Sequence, residues 1–307
     1  MAEVKGVLVP NITFFKADGS LDPERNRWHM NWLLDKGVNG LFVTGSYGSG
    51  PLMSNEERIE QFKIAKEAVA AHPGSYWIAH VGCADTANTV ALAKAAEEIG
   101  CDAIGAVPPF YYAHSEDKII AYYKAVIDAV SLPVFAYNNP STSRFTFSFD
   151  TVQKLQKLGL KGVKDSTMNV AFLTRVYYDA KINKKDFNTI IGTSNGWLPF
   201  CRMGIDTMIA GMCNYAPEIV VAMYKYTLDP AMSEKADEAY LIMQNYLAGM
   251  RFTDSTIISH MALKARGFDC GYPRLPMSLP DFSDPKYAQM TEEFNEAIAK
   301  MKELEAR

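Results

Sequence analysis

Cysteine is scarce in this sequence, and the few cysteines that occur are widely spaced. The 307 residues include Cys83, Cys101, Cys201, Cys213 and Cys270, and no two of them form a CxxC pair. An odd number of dispersed cysteines in apolar segments is not the pattern of a disulfide framework or of a zinc site. We therefore predict reduced thiols in the protein core.

Long apolar runs and blocks of basic charge are also lacking. No segment approaches the roughly 18 apolar residues of a membrane span, and the start, MAEVKGVLVP, lacks the pattern of a signal peptide. The net charge is -4, and no basic run is longer than the pair Lys184 and Lys185. These features predict a cytoplasmic protein that binds small molecules, with no nucleic acid or membrane as partner.

Metal-binding motifs are missing as well. HExxH does not occur, and the five histidines His29, His72, His80, His114 and His260 are scattered. His80 lies inside an apolar run, so we interpret it as a core histidine. We predict no metal site, and a metal-dependent enzyme stays only as an alternative.

Short β-rich runs alternate with amphipathic helical patterns along the chain. The runs are residues 7–12, 40–45, 76–82, 103–109, 133–138, 161–166, 188–193 and 207–211. Helical patterns follow them, for example from Ser54, Asp85 and Ser115, each opened by a capping residue type. Eight βα units with continuous apolar strands predict an α/β protein with a (β/α)8 TIM barrel fold.

Further helical patterns follow the last predicted strand. They are YLIMQNYLAGMRF (240–252), STIISHMALKARGF (255–268) and DPKYAQMTEEFNEAIAKMKELEA (284–306). We therefore assign residues 1–225 to a catalytic barrel and residues 226–307 to a C-terminal helical appendage.

The stretch GLKGVKDSTM (159–168) places Lys164 at the end of the sixth predicted strand. Active sites of such barrels lie at the C-terminal strand ends, and burial there lowers the pKa of an amine. A neutral lysine attacks a ketone or aldehyde, and the resulting imine is an electron sink for C–C bond cleavage or formation. The alternative is a lysine that pairs with Asp165 or reaches solvent, although strand alternation points Asp165 the other way.

Two neighbouring features suit such an amine. Tyr137 ends the fifth predicted strand, next to the sixth in a barrel, so its hydroxyl is placed to transfer protons near Lys164. The turn GSYGSG (45–50) follows the second strand and offers hydroxyls and N–H groups that suit a carboxylate. Each feature alone also fits a rim aromatic or an ordinary tight turn.

Taken together, these motifs resemble the pyruvate-dependent class I aldolase family of dihydrodipicolinate synthase and N-acetylneuraminate lyase. The resemblance runs through TFFKADGSLD (13–22), the GSYGSG turn, VPPFYY (107–112), YNNPS (137–141), GVKDS (162–166) and IIGTSNG (190–196). It implies that Lys164 forms a Schiff base with pyruvate and that Tyr137 donates and accepts protons. It implies no cofactor beyond this covalent imine.

The resemblance also implies further site residues. Ser46 and the N–H groups of Ser46 and Tyr47 would hold the pyruvate carboxylate, with Gly192 and Ile209 close to the substrate. Tyr111 would cross to a neighbouring subunit and complete a proton relay, which implies a homo-oligomer, a dimer or a homotetramer. The wall that contacts the aldehyde half of the substrate is predicted to contain Tyr47, Thr142, Ser143, Thr193 and Ser194.

Departures from the family pattern bear on the substrate. The turn has Ser49 where the family usually has glutamate, and Tyr47 where it has a small hydroxyl residue. Thr142 stands where the synthases carry an arginine, with Arg144 two residues further on. Thr193 and Ser194 replace the acidic pair of sialic acid lyases. These residues favour reversible cleavage of a 2-keto-3-deoxy sugar acid to pyruvate and an aldehyde.

Besides the metal-dependent enzyme, four alternatives remain open. Three use the same imine: a dihydrodipicolinate synthase-like condensation of pyruvate with an aldehyde, a keto-acid dehydratase or deaminase, and an N-acetylneuraminate lyase with a non-standard sugar site. The fourth is a catalytically silent binding barrel.

Overall fold

The computed structural model describes residues 4–249 and 254–307, with eight parallel strands that close into a barrel. The strands pair in chain order, and the first pairs with the last. They are β1 Gly6–Val9, β2 Gly40–Val43, β3 Tyr76–His80, β4 Ala103–Ala106, β5 Val134–Asn138, β6 Gly162–Asp165, β7 Asn188–Ile191 and β8 Thr207–Ile209. Seven of them lie within the predicted runs and β1 begins one residue before its run, so the predicted TIM barrel is confirmed.

Helices connect the strands and continue beyond β8. They are α1 Pro23–Asp35, α2 Asn55–Ala71, α3 Thr86–Ile99, α4 Glu116–Ala129, α5 Pro140–Ser143, α6 Phe149–Lys157, α7 Val170–Ile182, α8 Trp197–Arg202, α9 Pro217–Leu228, α10 Ser233–Gly249, α11 Ser255–Ala265 and α12 Pro285–Ala306. Ser54 caps α2 in a reciprocal capping box with Glu57, and Asp85 caps α3. Ser115 precedes α4, but its side chain makes no capping hydrogen bond.

The predicted C-terminal helical extension is present. Helix α10 packs against α9 and α12, and α11 packs against α12. The boundary predicted between residues 225 and 226 falls inside α9, which ends at Leu228, and the division into two units stays a prediction. Residues 250–252 of the predicted helical segment 240–252 lie outside the described residues.

The core has two layers, which strand alternation explains. Outward-facing strand residues such as Val163 pack beneath the helices, whereas a second cluster with Phe42, Tyr137, Ile190 and Ile209 fills the barrel interior. All five cysteines are unpaired, and all but Cys83 are buried, as the sequence predicts. Among the helices of the described ranges, none is long and apolar enough to cross a membrane.

Candidate active site

A cavity of about 710 Å³ opens at the C-terminal ends of the barrel strands. Loops after β2, β5, β6, β7 and β8 line it together with the N-terminal end of α11. All the predicted site residues except Tyr111 and Ser143 belong to its lining, namely Ser46, Tyr47, Tyr137, Thr142, Lys164, Gly192, Thr193, Ser194 and Ile209. The structure therefore brings together residues from distant parts of the sequence.

Lys164 lies at the base of this cavity and is only 5% exposed. Its Nζ atom is 3.9 Å from the ring centroid of Tyr137 and 4.3 Å from that of Phe42. Burial lowers the pKa of the Lys164 amine, although the neighbouring Tyr137 acts in the opposite direction. The cavity thus holds an amine whose neutral form is favoured by desolvation.

The alternative position for this lysine, beside Asp165 or in solvent, is wrong. Asp165 points away from the barrel interior and accepts hydrogen bonds from Asn138 Nδ2 at 2.6 Å and from Thr167 Oγ1 at 2.8 Å. Successive strand residues face opposite sides of the barrel wall, so the Asp165 carboxylate lies on the outer side and forms its hydrogen bonds there. Burial raises the pKa of this carboxyl group.

Tyr137 stands opposite Lys164 in the register of β5 and β6. Its hydroxyl oxygen accepts hydrogen bonds from Asn139 Nδ2 at 3.2 Å and from Ser166 Oγ at 3.4 Å. Burial acts to raise the pKa of the Tyr137 phenol, but the charge of Lys164 and hydrogen bonds with Ser166, Lys164 and Ser46 outweigh it and lower the pKa. Such a phenol suits proton transfer beside the amine.

The turn after β2 is held by backbone contacts. Thr13 Oγ1 donates to Gly48 O at 2.7 Å, and a Cβ atom on Gly48 would lie 3.0 Å from Asn11 O. Ser49 adopts a left-handed conformation with φ of 55° and is buried, and no described atom is a partner for its hydroxyl. In contrast, the Ser46 side chain is exposed to the cavity, where it is available to a ligand.

Tyr47 bridges this turn and the C-terminal extension. Its hydroxyl end packs against Gly211, after β8, and forms a hydrogen bond with Ser255 at the start of α11. Burial raises the pKa of the Tyr47 phenol. The bulky residue that departs from the family pattern therefore forms part of the cavity floor and contacts α11.

Tyr111 lies apart from the other predicted residues. It is 75% exposed, with a positive φ of 79°, and its ring contacts the exposed ring of Tyr112 at a centroid distance of 4.9 Å. Arg144 donates from Nη1 to Tyr111 O at 3.5 Å, and its guanidinium does not belong to the cavity lining.

Ser143, predicted as part of the cavity wall, is instead buried outside the lining. Its hydroxyl donates to Asn139 O at 3.0 Å, within the single turn of α5. The neighbouring Thr142 faces the cavity instead. The prediction for Ser143 was wrong because one residue of difference within a helical turn rotates a side chain by about 100°.

Several lining residues were not predicted as site residues. Asn139, Ser141 and Ser166 come from loops that sequence reasoning did consider, whereas Asp254, Ser255, Thr256 and Ile258 come from the C-terminal extension. The Asp-Ser-Thr run resembles a helix start, and Asp254 Oδ1 indeed accepts from Thr256 N–H at 2.8 Å. This signal predicts where α11 begins but not that its first turn lies over the barrel.

His80 is the core histidine that the sequence predicts. Its Nδ1 atom is 3.2 Å from Thr44 O, and Val107 N–H donates to its Nε2 atom at 3.2 Å, so both ring nitrogens have partners. Burial holds the pKa of His80 well below its usual value. In the part of the chain that the structure describes, no group of three or more His, Cys, Asp or Glu side chains is arranged to hold a metal ion.

Known proteins share this fold and much of this sequence. An uncharacterized DapA-like lyase of Halobacterium salinarum is 31% identical over 280 residues, which cover 91% of this chain and 90% of that protein. A probable 2-dehydro-3-deoxy-D-pentonate aldolase of Escherichia coli is 30% identical over 228 residues, which cover 73% and 75%. A 2-keto-3-deoxygluconate aldolase of Sulfolobus solfataricus in complex with D-KDPG has a TM-score of 0.87 at 26% identity, with 98% of each chain covered.

These relatives and structural neighbours are named as lyases and aldolases, which supports an enzyme of that general class. The sequence also matches the dihydrodipicolinate synthetase family over residues 3–297, nearly the whole chain. The barrel, the cavity and this match agree with the family resemblance of the sequence motifs. The chain belongs to the dihydrodipicolinate synthetase family.

Proposed function

We propose that the protein is a class I aldolase or lyase that reversibly cleaves a 2-keto-3-deoxy sugar acid to pyruvate and an aldehyde through a Schiff base. One observation carries this proposal. The Lys164 amine lies buried in the cavity with a lowered pKa, 3.9 Å from the ring centroid of Tyr137. Desolvation of the amine favours the nucleophilic form, and the phenol beside it supplies and removes protons.

The proposed reaction begins when the neutral Lys164 amine attacks the C2 ketone. Tyr137 protonates the carbinolamine oxygen, and water leaves to give the protonated imine. The imine accepts the electron pair of the C3–C4 bond as that bond breaks, while the proton of the C4 hydroxyl passes to Tyr137. Protonation of the enamine at C3 and hydrolysis then release pyruvate and the free lysine. No further cofactor is needed in this proposal because the imine serves as the electron sink.

The keto-acid end of the substrate is proposed to bind near the turn after β2. Ser46 and the adjacent backbone N–H groups are proposed to hold the carboxylate, since small hydroxyls and N–H groups are common carboxylate ligands. Gly192 leaves room beside the reacting carbons: a Cβ atom there would lie 2.2 Å from Ser166 Oγ. Ile209 supplies the apolar wall of this end of the cavity.

The other end of the cavity is lined mainly by neutral hydroxyl groups. Thr142, Thr193, Ser194, Ser255 and Thr256 belong to it. Such a wall suits a polyhydroxy aldehyde, and the names of the Escherichia coli and Sulfolobus aldolases agree with a 2-keto-3-deoxy sugar acid. Condensation in the manner of dihydrodipicolinate synthase is less well supported, because the Arg144 guanidinium does not line the cavity.

The proposed enzyme is a homo-oligomer, a dimer or a tetramer. Tyr111 is strongly exposed on the single chain, and it is proposed to complete the proton relay of a neighbouring subunit. A contact of that kind would cover an aromatic side chain that is otherwise left in water.

Trapping with borohydride tests the proposal. Pyruvate and borohydride should leave a reduced adduct on the Lys164 peptide of the protein, and none on the Lys164→Met variant, which keeps a side chain of similar length. An unmodified Lys164 peptide would contradict the Schiff base. Pyruvate release from 2-keto-3-deoxygluconate and from sialic acid then separates the two cleavage reactions, whereas loss of water or ammonia without pyruvate identifies a dehydratase or deaminase.

A further inference from the structure

The third residue of the YNNPS stretch, Asn139, carries an amide that contacts the phenol of Tyr137. Asn139 Nδ2 donates to the Tyr137 hydroxyl oxygen at 3.2 Å. The other end of the same amide is also engaged, because Ser141 Oγ donates to Asn139 Oδ1 at 2.7 Å. The two contacts orient the amide so that its nitrogen, and not its oxygen, faces the phenol.

The backbone of Asn139 is fixed as well. Its carbonyl oxygen accepts hydrogen bonds from Thr142 N at 3.1 Å and from Ser143 N at 3.2 Å, at the start of α5. The Ser143 hydroxyl donates to the same oxygen at 3.0 Å. These bonds fix the backbone from which the side-chain amide reaches Tyr137.

An amide nitrogen can contact a phenol oxygen only as a hydrogen-bond donor. It donates hydrogen bonds and accepts none, so it stabilises the phenolate and cannot take the proton that Tyr137 must exchange. Ser166 Oγ lies 3.4 Å from the same oxygen, but its single proton also has Gly192 O as an acceptor at 3.1 Å. The Asn139 amide is therefore the partner of the phenol oxygen that can act only as a donor.

We propose that Asn139 is a positioning residue that holds the Tyr137 hydroxyl beside the Lys164 amine and favours the phenolate during proton transfer. Ser141 supports it by keeping the amide nitrogen directed at the phenol. This inference rests on the proposed function, since it assigns a task to a residue that acts through Tyr137.

The test compares Asn139→Leu, which removes the donor at similar size, with Asn139→Asp, which places an acceptor and a negative charge there. The control is Asn31→Leu, on α1, where the amide donates to Arg27 O and lies outside the cavity. The rate of the borohydride-trapped pyruvate adduct is measured against pH, and Tyr137→Phe identifies the limb of the profile that belongs to Tyr137. The midpoint of that limb should lie about one pH unit higher in Asn139→Leu than in the unsubstituted protein, and higher still in Asn139→Asp. The control should keep the original profile.

If Asn139→Leu loses activity while the midpoint of the Tyr137 limb is unchanged, the role of Asn139 is merely structural. That result would overturn the inference. A second measurement does not depend on turnover. Ultraviolet difference titration, taken as each protein minus its Tyr137→Phe counterpart, reports phenolate formation at residue 137 and should show the same upward shift. If the unsubstituted protein forms no pyruvate adduct, the proposed function fails, and this titration alone decides whether Asn139 favours the phenolate.

Discussion

The Tyr47 hydroxyl occupies the space into which a side chain at residue 211 would project. A Cβ atom on Gly211 would lie 2.3 Å from both the hydroxyl oxygen and Cζ of Tyr47, far inside van der Waals contact. Both residues line the cavity, and Tyr47 is also hydrogen-bonded to Ser255. The aromatic residue after β2 and the glycine after β8 therefore depend on each other.

This relationship predicts a compensating pair of substitutions. Gly211→Ala should displace the Tyr47 ring at a cost of roughly 1–3 kcal/mol in stability, and it should lower kcat/KM because Tyr47 lines the cavity. In a Tyr47→Ser background, the same change should have little effect because the clash is gone. A double-mutant cycle on kcat/KM measures this coupling, and strictly additive effects would contradict it.

Tyr137→Phe should lower kcat by about 10²–10⁴ because it removes the proton-transferring hydroxyl. The Lys164 adduct with pyruvate should still form, only more slowly, since the amine is retained. Steady-state kinetics and adduct mass spectrometry test this expectation. Tyr178→Phe, on an exposed part of α7, is the matched control and should leave both quantities unchanged. Full activity of Tyr137→Phe would remove the phenol from the mechanism.

Arg274→Ala should lower the free energy of unfolding by about 2–3 kcal/mol. Its Nη1 and Nη2 atoms donate to the two Glu57 oxygens at 2.7 and 2.6 Å, and further donors reach Gly19 O and Leu52 O. Arg274→Lys should recover little of the lost stability, because one ammonium group cannot reproduce the paired hydrogen bonds of the guanidinium. Urea unfolding measures the loss. Arg202→Ala, which removes an exposed pair with Asp237, should cost well under 1 kcal/mol.

Acidification should destabilise the fold through His29 and His260. Both are fully buried, and burial lowers the pKa of each from 6.5 to about 4. Between pH 6.5 and pH 4, each of these histidines is protonated in the unfolded chain but not in the folded chain. The free energy of unfolding should therefore fall by about 1.4 kcal/mol per pH unit for each histidine as the pH drops through this range.

Urea unfolding at several pH values tests this dependence. His260→Phe should be less stable at neutral pH but should lose less stability on acidification. The control, His72→Gln, should change the slope in the opposite sense, because a hydrogen bond to Ala68 O raises the pKa of His72 in the folded state. An unchanged slope in His260→Phe would show that the buried ring does not control the acid response.

Asp254 should disfavour substrates with a second anionic group. Its carboxylate lies on the cavity wall among neutral hydroxyls. We expect 2-keto-3-deoxygluconate to react with a higher kcat/KM than its 6-phosphate, and Asp254→Asn to improve use of the phosphate about fivefold, or roughly 1 kcal/mol. Equal use of both compounds by the unsubstituted protein would contradict this role.

The sequence predicts the barrel and the neighbouring positions of Tyr137 and Lys164, because both depend on local patterns. Each apolar run becomes a strand, and consecutive strands lie side by side in a barrel, so Tyr137 and Lys164 had to be neighbours. The position of α11 is different. It depends on packing between remote segments, such as the Arg266–Glu218 ion pair, and no periodicity of the chain predicts it.

Side-chain direction within short loops is also beyond local patterns. Thr142 and Ser143 are adjacent and chemically alike, and the hydroxyls of both donate to Asn139 O, yet only Thr142 lines the cavity. Their positions within the single turn of α5 determine which of the two side chains lines the cavity. The Tyr47 ring is a similar case, since its direction follows from the absence of a side chain at Gly211.

The first turn of α11 supplies cavity wall from outside the barrel that carries Lys164 and Tyr137. Under the proposed function, part of the wall that contacts the aldehyde half is thus encoded more than 85 codons away from Lys164, at Asp254. Under the proposed function, replacing residues 254–258 with those of a relative should change the aldehyde preference and leave Lys164 and Tyr137 in place. Natural drift in that segment would diversify the family in the same way, while the lysine and its phenol stay untouched.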